Sequence, residues 1–234
     1  MKASIDFPPF PGIRSEGLDF LAELKENNKR TWFKARKELY EDELRWPMRC
    51  LVVDVARRAQ REGLPLTADP KRSVFRIYRD IRFSRDKRPY KTHAGAILSR
   101  TGSPKDAGVV YIHVEPGNFF LAAGFYKLPN DYLRPLRRQM VSLPARFFEM
   151  KDALDDAGLS LETTSDDKLK GMPRGHAGDR DSDVAEYLRW KSFLVERPVT
   201  AEQLRTPDFA GDVVDLVRDA LPLLRYGWSS EKSN

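Results

Sequence analysis

The chain has 234 residues, 41% of them hydrophobic and 32% charged, enough to build a buried core and too apolar for a disordered chain. The formal charge is +6, and the single cysteine, Cys50, excludes an internal disulfide framework. No stretch approaches the roughly 20 apolar residues that span a bilayer, and the opening MKASIDFPPFPGI lacks a signal-peptide run, so a soluble cytoplasmic protein without a membrane partner is expected.

The first third reads as helices. Ser15 is placed to cap the first, with Glu16 in its first turn and Leu18, Leu21, Ala22 and Leu24 on its apolar side. A second carries Trp32, Phe33, Arg36, Leu39, Tyr40 and Leu44. Pro47 then either kinks that helix or opens a third. Met48, Leu51, Val52, Val55, Ala56 and Ala59 form the cleanest amphipathic stripe in the chain, ended by Gly63 and Pro65.

The middle reads as strands. The β-branched and aromatic residues from Val74 to Phe83 predict one strand. Val109 to Val114 and Phe119 to Tyr126 flank Glu115-Pro116-Gly117-Asn118, turn chemistry that predicts a hairpin. The second arm is apolar on both faces, as a central strand requires, and its Gly124 signals a bulge or a close backbone approach. Helices follow: one capped by Asn130 or Asp131, and another after Pro144. Leu159–Thr163 and Lys191–Val199 are strand candidates; Asp183–Trp190 and Val213–Leu224 are helix candidates, with 170–181 a loop. The expected class is α+β, a mainly antiparallel sheet with helices packed on it. A single domain, 1–234, is expected, with a helical section over 1–66 and an α+β section over 67–234.

Charge is concentrated rather than spread. Lys71 to Lys91 holds nine basic and two acidic residues, a net +7, while the rest of the chain holds 32 basic and 33 acidic, a net −1. Read as a strand, this region puts Arg79 on an apolar face between Ile77 and Ile81. A buried guanidinium needs an anionic or carbonyl partner, so Arg79 either pairs with Asp80 or Asp86, or faces a pocket that an anion fills; a strand ending near Tyr78 removes the conflict. The loop after it offers forked arginines, point-charge lysines and the hydroxyls of Ser84, Tyr90 and Thr92.

The run RDIRFSRDKRPYKTH, residues 79–93, resembles the signature of the family named domain of unknown function 2461. The likeness extends to Phe20-Leu21, to Asn27-Asn28 with Trp32-Phe33, to Gly124-Phe125-Tyr126 and Leu128-Pro129, to Pro173-Arg174-Gly175 and to Leu188-Arg189-Trp190-Lys191. It implies a soluble bacterial or fungal protein and brings no established activity.

The residues themselves point to a small anionic ligand, phosphate- or carboxylate-bearing, held by Arg76, Arg79, Arg82, Ser84, Lys87, Tyr90 and Lys91, with Arg174 and Lys191 adding positive charge. Asp80, Asp86, Tyr90 and His93 are the candidates for proton transfer. Two alternatives remain: a nucleic-acid surface using Tyr78, Phe83 and Tyr90 for stacking, or a structural salt-bridge hub. His93, His113 and His176 lack paired ligand spacing and no nucleotide-binding glycine motif occurs, so neither metal nor cofactor is expected.

Overall fold

In the computed structural model, which describes residues 6–82 and 85–231, the amphipathic stripe forms α4 (Trp46–Arg61). Met48, Leu51, Val52, Val55 and Ala59 are all fully buried along it. Pro47 sits in its first turn, where its missing N–H costs nothing. Gly63, at φ +67°, ends the helix: its N–H donates to the Gln60 carbonyl while that of Leu64 reaches Ala59, a Schellman closure. Before α4 come α1 (Ser15–Glu26), α2 (Arg30–Ala35), α3 (Lys37–Tyr40) and a π-turn (Glu41–Arg45) running straight into α4. The single helix expected over Trp32–Leu44 is thus broken at Arg36, which leaves helical geometry at φ −120°, ψ 16°. Ser15 is not the cap; Arg14 holds that position, and the Ser15 hydroxyl turns to Glu16 instead.

The sheet has four antiparallel strands in the order β1 (Ala94–Ser99), β2 (Val109–Glu115), β3 (Asn118–Phe125) and β4 (Phe193–Pro198). The expected hairpin is β2–β3, turning at Gly117 (φ +82°), and β3 is an interior strand as its two apolar faces require. Gly124 in β3 has φ +132°, and a Cβ there would stand 2.1 Å from the Phe193 carbonyl oxygen. The close approach of β4 therefore demands glycine.

The strand expected over Val74–Phe83 does not form within the described residues, 74–82. The region makes only isolated bridges, Val74 to Ala96 and Tyr78 to Tyr90, and β1 forms further along, where no strand was expected. Propensity loses here to charge: Arg79, Asp80 and Arg82 pair within the loop rather than across a ladder. Leu159–Thr163 likewise contributes only a bridge, Glu162 to Leu194.

The remaining helices are α5 (Asn130–Ser142), α6 (Pro144–Asp156), α7 (Ala185–Leu188), α8 (Ala201–Leu204), α9 (Phe209–Asp219) and α10 (Leu221–Glu231). Pro129, not Asn130 or Asp131, occupies the cap position of α5. The chain divides into two compact units that interleave in sequence. The first holds the described residues up to Asp106, Tyr111–Leu121 and Pro198–Asp215; its core includes Phe10, Phe20, Leu21, Leu24, Leu44 and Met48. The second holds Ala107–Val110, Ala122–Arg197 and the described residues from Leu216; its core includes Leu136, Met140, Phe147 and Phe193. Among the described residues, no helix is long and apolar enough to cross a membrane.

Candidate functional site

The basic segment folds as a loop closed at its neck. The Arg79 N–H donates to the Pro89 carbonyl at 3.0 Å, and the Lys91 N–H to that of Ile77 at 2.8 Å, on either side of the Tyr78–Tyr90 bridge. Asn28, from the start of the chain, extends this neck sideways. Its Nδ2 donates to the Tyr90 carbonyl at 3.0 Å and its Oδ1 accepts the Tyr90 N–H at 3.1 Å, so one amide side chain stands in for a neighbouring strand. Phe33 completes the junction by stacking on Tyr90, with centroids 4.2 Å apart and planes 16° apart, and Phe20, Tyr40 and Tyr78 pack around it. The Asn-Asn…Trp-Phe stretch and the Tyr-Lys end of the signature are parts of one structure.

Within the loop the cations are largely spoken for. Asp86 accepts from Arg79 Nη1 at 2.5 Å and from Arg88 through Nη2, Nε and the backbone N–H. Those bonds, with Arg88 contributing most, hold the Asp86 carboxyl far below the usual range. Asp80 takes a fork from Arg82 at 2.6 and 2.9 Å and is lowered for the same reason. Lys87 Nζ caps the Ile81 carbonyl at 3.0 Å. Both aspartates are firmly ionised, suited to orienting cations and only feebly basic. Arg76 is exposed, and Ser84, with Phe83, lies outside the described residues.

A pocket of about 470 Å³ opens beside the neck, lined by Arg30, Phe33, Lys34, Lys37, Tyr78, Arg79, Ile81, Pro89 and Tyr90. Four of these nine residues are cationic and none is acidic. Arg30, Lys34 and Lys37, from α2 and α3, have no carboxylate partner among the described residues. Arg36, between them, instead covers the Trp32 ring at 4.5 Å and pairs with Glu23. Sequence reasoning missed this trio. The signal was present: cations at i, i+4 and i+7 share a helix face with Phe33, and like charges at that spacing repel unless something gathers them.

Lys91 and His93 belong to a second cluster in the same unit. Lys91 Nζ lies 5.4 Å from the centre of the Phe75 ring, and burial, then Arg76, lowers its pKa. His93 packs against His113 with ring centres 4.7 Å apart, and burial, then His113 and Lys91, pushes it down to about 4. Tyr111, His113 and Glu115 alternate along β2: Tyr111 Oη is 2.8 Å from His113 Nδ1, and His113 Nε2 is 3.4 Å from Glu115 Oε2. A neutral His113 protonated on Nε2 satisfies both contacts. Burial pushes Glu115 up, but hydrogen bonds from Thr92 and His113 outweigh it and hold the carboxyl below its ordinary value.

Arg174 and Lys191 lie in the second unit. Arg174 is exposed in the turn closed by the His176 N–H on the Pro173 carbonyl; Lys191 Nζ reaches the Asp166 carbonyl at 3.5 Å. No group of three or more His, Cys, Asp or Glu among the described residues is arranged to hold a metal ion.

The sequence profile of the conserved hypothetical proteins DUF2461 matches residues 16–226, most of the chain. The chain belongs to the DUF2461 family. No curated protein and no solved structure matches it. For this DUF2461 member the match spans both the Asn28–Phe33 and Arg79–His93 stretches that meet at the pocket.

Proposed function

We propose that this protein binds a small anionic ligand, phosphate- or carboxylate-bearing, in the pocket between the loop neck and α2–α3. The observation that carries the reading is the convergence of Arg30, Lys34 and Lys37 with Arg79 on a lining that contains no carboxylate. Arg30, Lys34 and Lys37, without a carboxylate partner among the described residues, favour an anion that neutralises them. A larger groove, about 770 Å³, has another character: its lining is mainly apolar, and its Arg57 is tied to Asp6 and the Phe7 carbonyl.

The sequence reading placed the ligand on the basic segment itself. The pairing of Arg79, Arg82 and Arg88 with Asp80 and Asp86 favours a narrower division of labour, in which the loop scaffolds the site, Arg79 reaches into it and the helices supply the rest. The same pairing gives the hub reading a share: much of the segment's charge is structural. A nucleic-acid surface is less favoured, because the two aspartates would oppose a phosphate backbone. The cytoplasm suits the buried free thiol of Cys50.

Titration calorimetry with pyrophosphate tests the proposal. Binding to the parent chain, weakened roughly ten-fold or more in Arg30→Ala/Lys34→Ala, is the expected result. No binding, or equal binding by the double variant, would refute it. Oligonucleotide binding that is tighter than that of pyrophosphate and collapses with salt would favour the nucleic-acid alternative.

A further inference from the structure

We infer that the ligand carries a planar base as well as its charge, which makes it a nucleoside di- or triphosphate; this deepens the anion-binding reading and rests on it. Tyr78 lines the pocket with half of its surface exposed, whereas Phe33 and Tyr90 beside it are only 2% and 4% exposed. Its ring meets those neighbours at 58° and 49°, with centres 6.0 and 5.4 Å apart, so neither stacks parallel on it. A half-exposed aromatic ring at the wall of a cationic pocket suits contact with a base. Ile81 and Pro89 add apolar lining that phosphate alone would leave uncovered.

The charges point the same way. Arg30 and Lys34 lie one turn apart on α2, and Lys37 opens α3 just beyond the break at Arg36. Three separate cations on the lining offer more partners than one phosphate group needs, which suits a di- or triphosphate chain. Arg79, already shared with Asp86, serves better as an orienting contact than as a main charge partner. The volume of about 470 Å³ falls within the roughly 300–1,000 Å³ usual for sites that enclose whole small molecules.

The test is calorimetry on the full chain with each of the four common ribonucleoside triphosphates, the free nucleosides and inorganic tripolyphosphate. At least one nucleoside triphosphate should bind roughly 5- to 150-fold more tightly than tripolyphosphate, the range that one stacked base supplies. Tyr78→Ala should erase that advantage, weakening nucleotide binding far more than tripolyphosphate binding, while Tyr78→Phe should restore it. The Tyr78–Tyr90 bridge is formed by backbone, and an unchanged melting temperature of the alanine variant checks that the neck survives the loss of ring packing on Phe33 and Tyr90. If every nucleotide binds no better than tripolyphosphate, or the advantage survives in Tyr78→Ala, the nucleotide inference is overturned while the anion pocket stands. If tripolyphosphate and the nucleotides all fail to bind, both readings fall.

Discussion

Asn28 shows how much one side chain can hold. Its amide satisfies both backbone groups of Tyr90, across 62 residues of sequence. Asn28→Ala therefore leaves a donor and an acceptor without their partner, and should cost about 1–2 kcal/mol in chemical denaturation. Asn28→Asp keeps the acceptor but sets an oxygen against the Tyr90 carbonyl, so it should not rescue the loss. His93 makes a second prediction at this scale. Its folded pKa, about 4, lies below the ordinary 6.5, so between those values the unfolded chain takes up a proton that the folded chain refuses. Its contribution is complete above pH 6.5 and is lost as pH falls towards 4, on the order of 2 kcal/mol. Denaturation at a series of pH values should show that slope, and His93→Gln should flatten it in part, because burial lowers His113 too. At the residue scale the sequence was legible where chemistry conflicted with pattern. Arg79 stood out among isoleucines, and Asp86 was among its foreseen partners. Asn28 was visible only as part of a motif, because nothing local reveals a partner so distant.

At the scale of elements, the hairpin and α4 were readable because each carries its own period and its own stop, whereas the helix expected over Val213–Leu224 is two, α9 and α10, parted at Ala220. Gly63 closes α4 and Gly117 turns β2 into β3. The two hairpin glycines should nevertheless respond differently to alanine. At Gly117 a Cβ meets nothing within 4 Å, so only the positive φ opposes it, at about 1 kcal/mol. At Gly124 the same atom would strike the Phe193 carbonyl of β4 as well, and a loss of about 3 kcal/mol or more, or failure to accumulate as folded protein, is expected. Melting temperatures of the two variants compare them directly; equal shifts would contradict the close approach. The strand expected over Val74–Phe83 does not form over its described residues, 74–82, for a related reason. Propensity reads side chains one at a time, while the aspartates of this region recruit arginines two residues away and bend the chain into a loop.

At the scale of the whole molecule, the net charge was a poor guide and its distribution a better one. The excess does lie in one segment, where Asp80 and Asp86, already counted in the net charge, pair with Arg79, Arg82 and Arg88; the other cations of the pocket, Arg30, Lys34 and Lys37, come from α2 and α3. Helical spacing alone could have nominated Arg30, Lys34 and Lys37; only the tertiary fold joins them to Arg79. Hydrogen exchange over the full chain should reveal this join. With pyrophosphate bound, protection should rise over residues 28–37 and 77–91 together. Protection of only one of these two stretches would dissociate the helices from the loop neck.

The Asn28–Tyr90 clasp also has a consequence for how the protein is made. A ribosome delivers residue 28 first and residue 90 some 62 positions later, which at about 5–20 residues per second is a delay of roughly 3–12 s. During that interval Phe33 packs against Phe20 and Tyr40 but lacks the Tyr90 ring that stacks on it, and the cations of α2 and α3 stand beside an unfinished wall. The pocket therefore comes into being at a definite point in translation, when its far end emerges, and a chain halted before Tyr90 carries the charges without it.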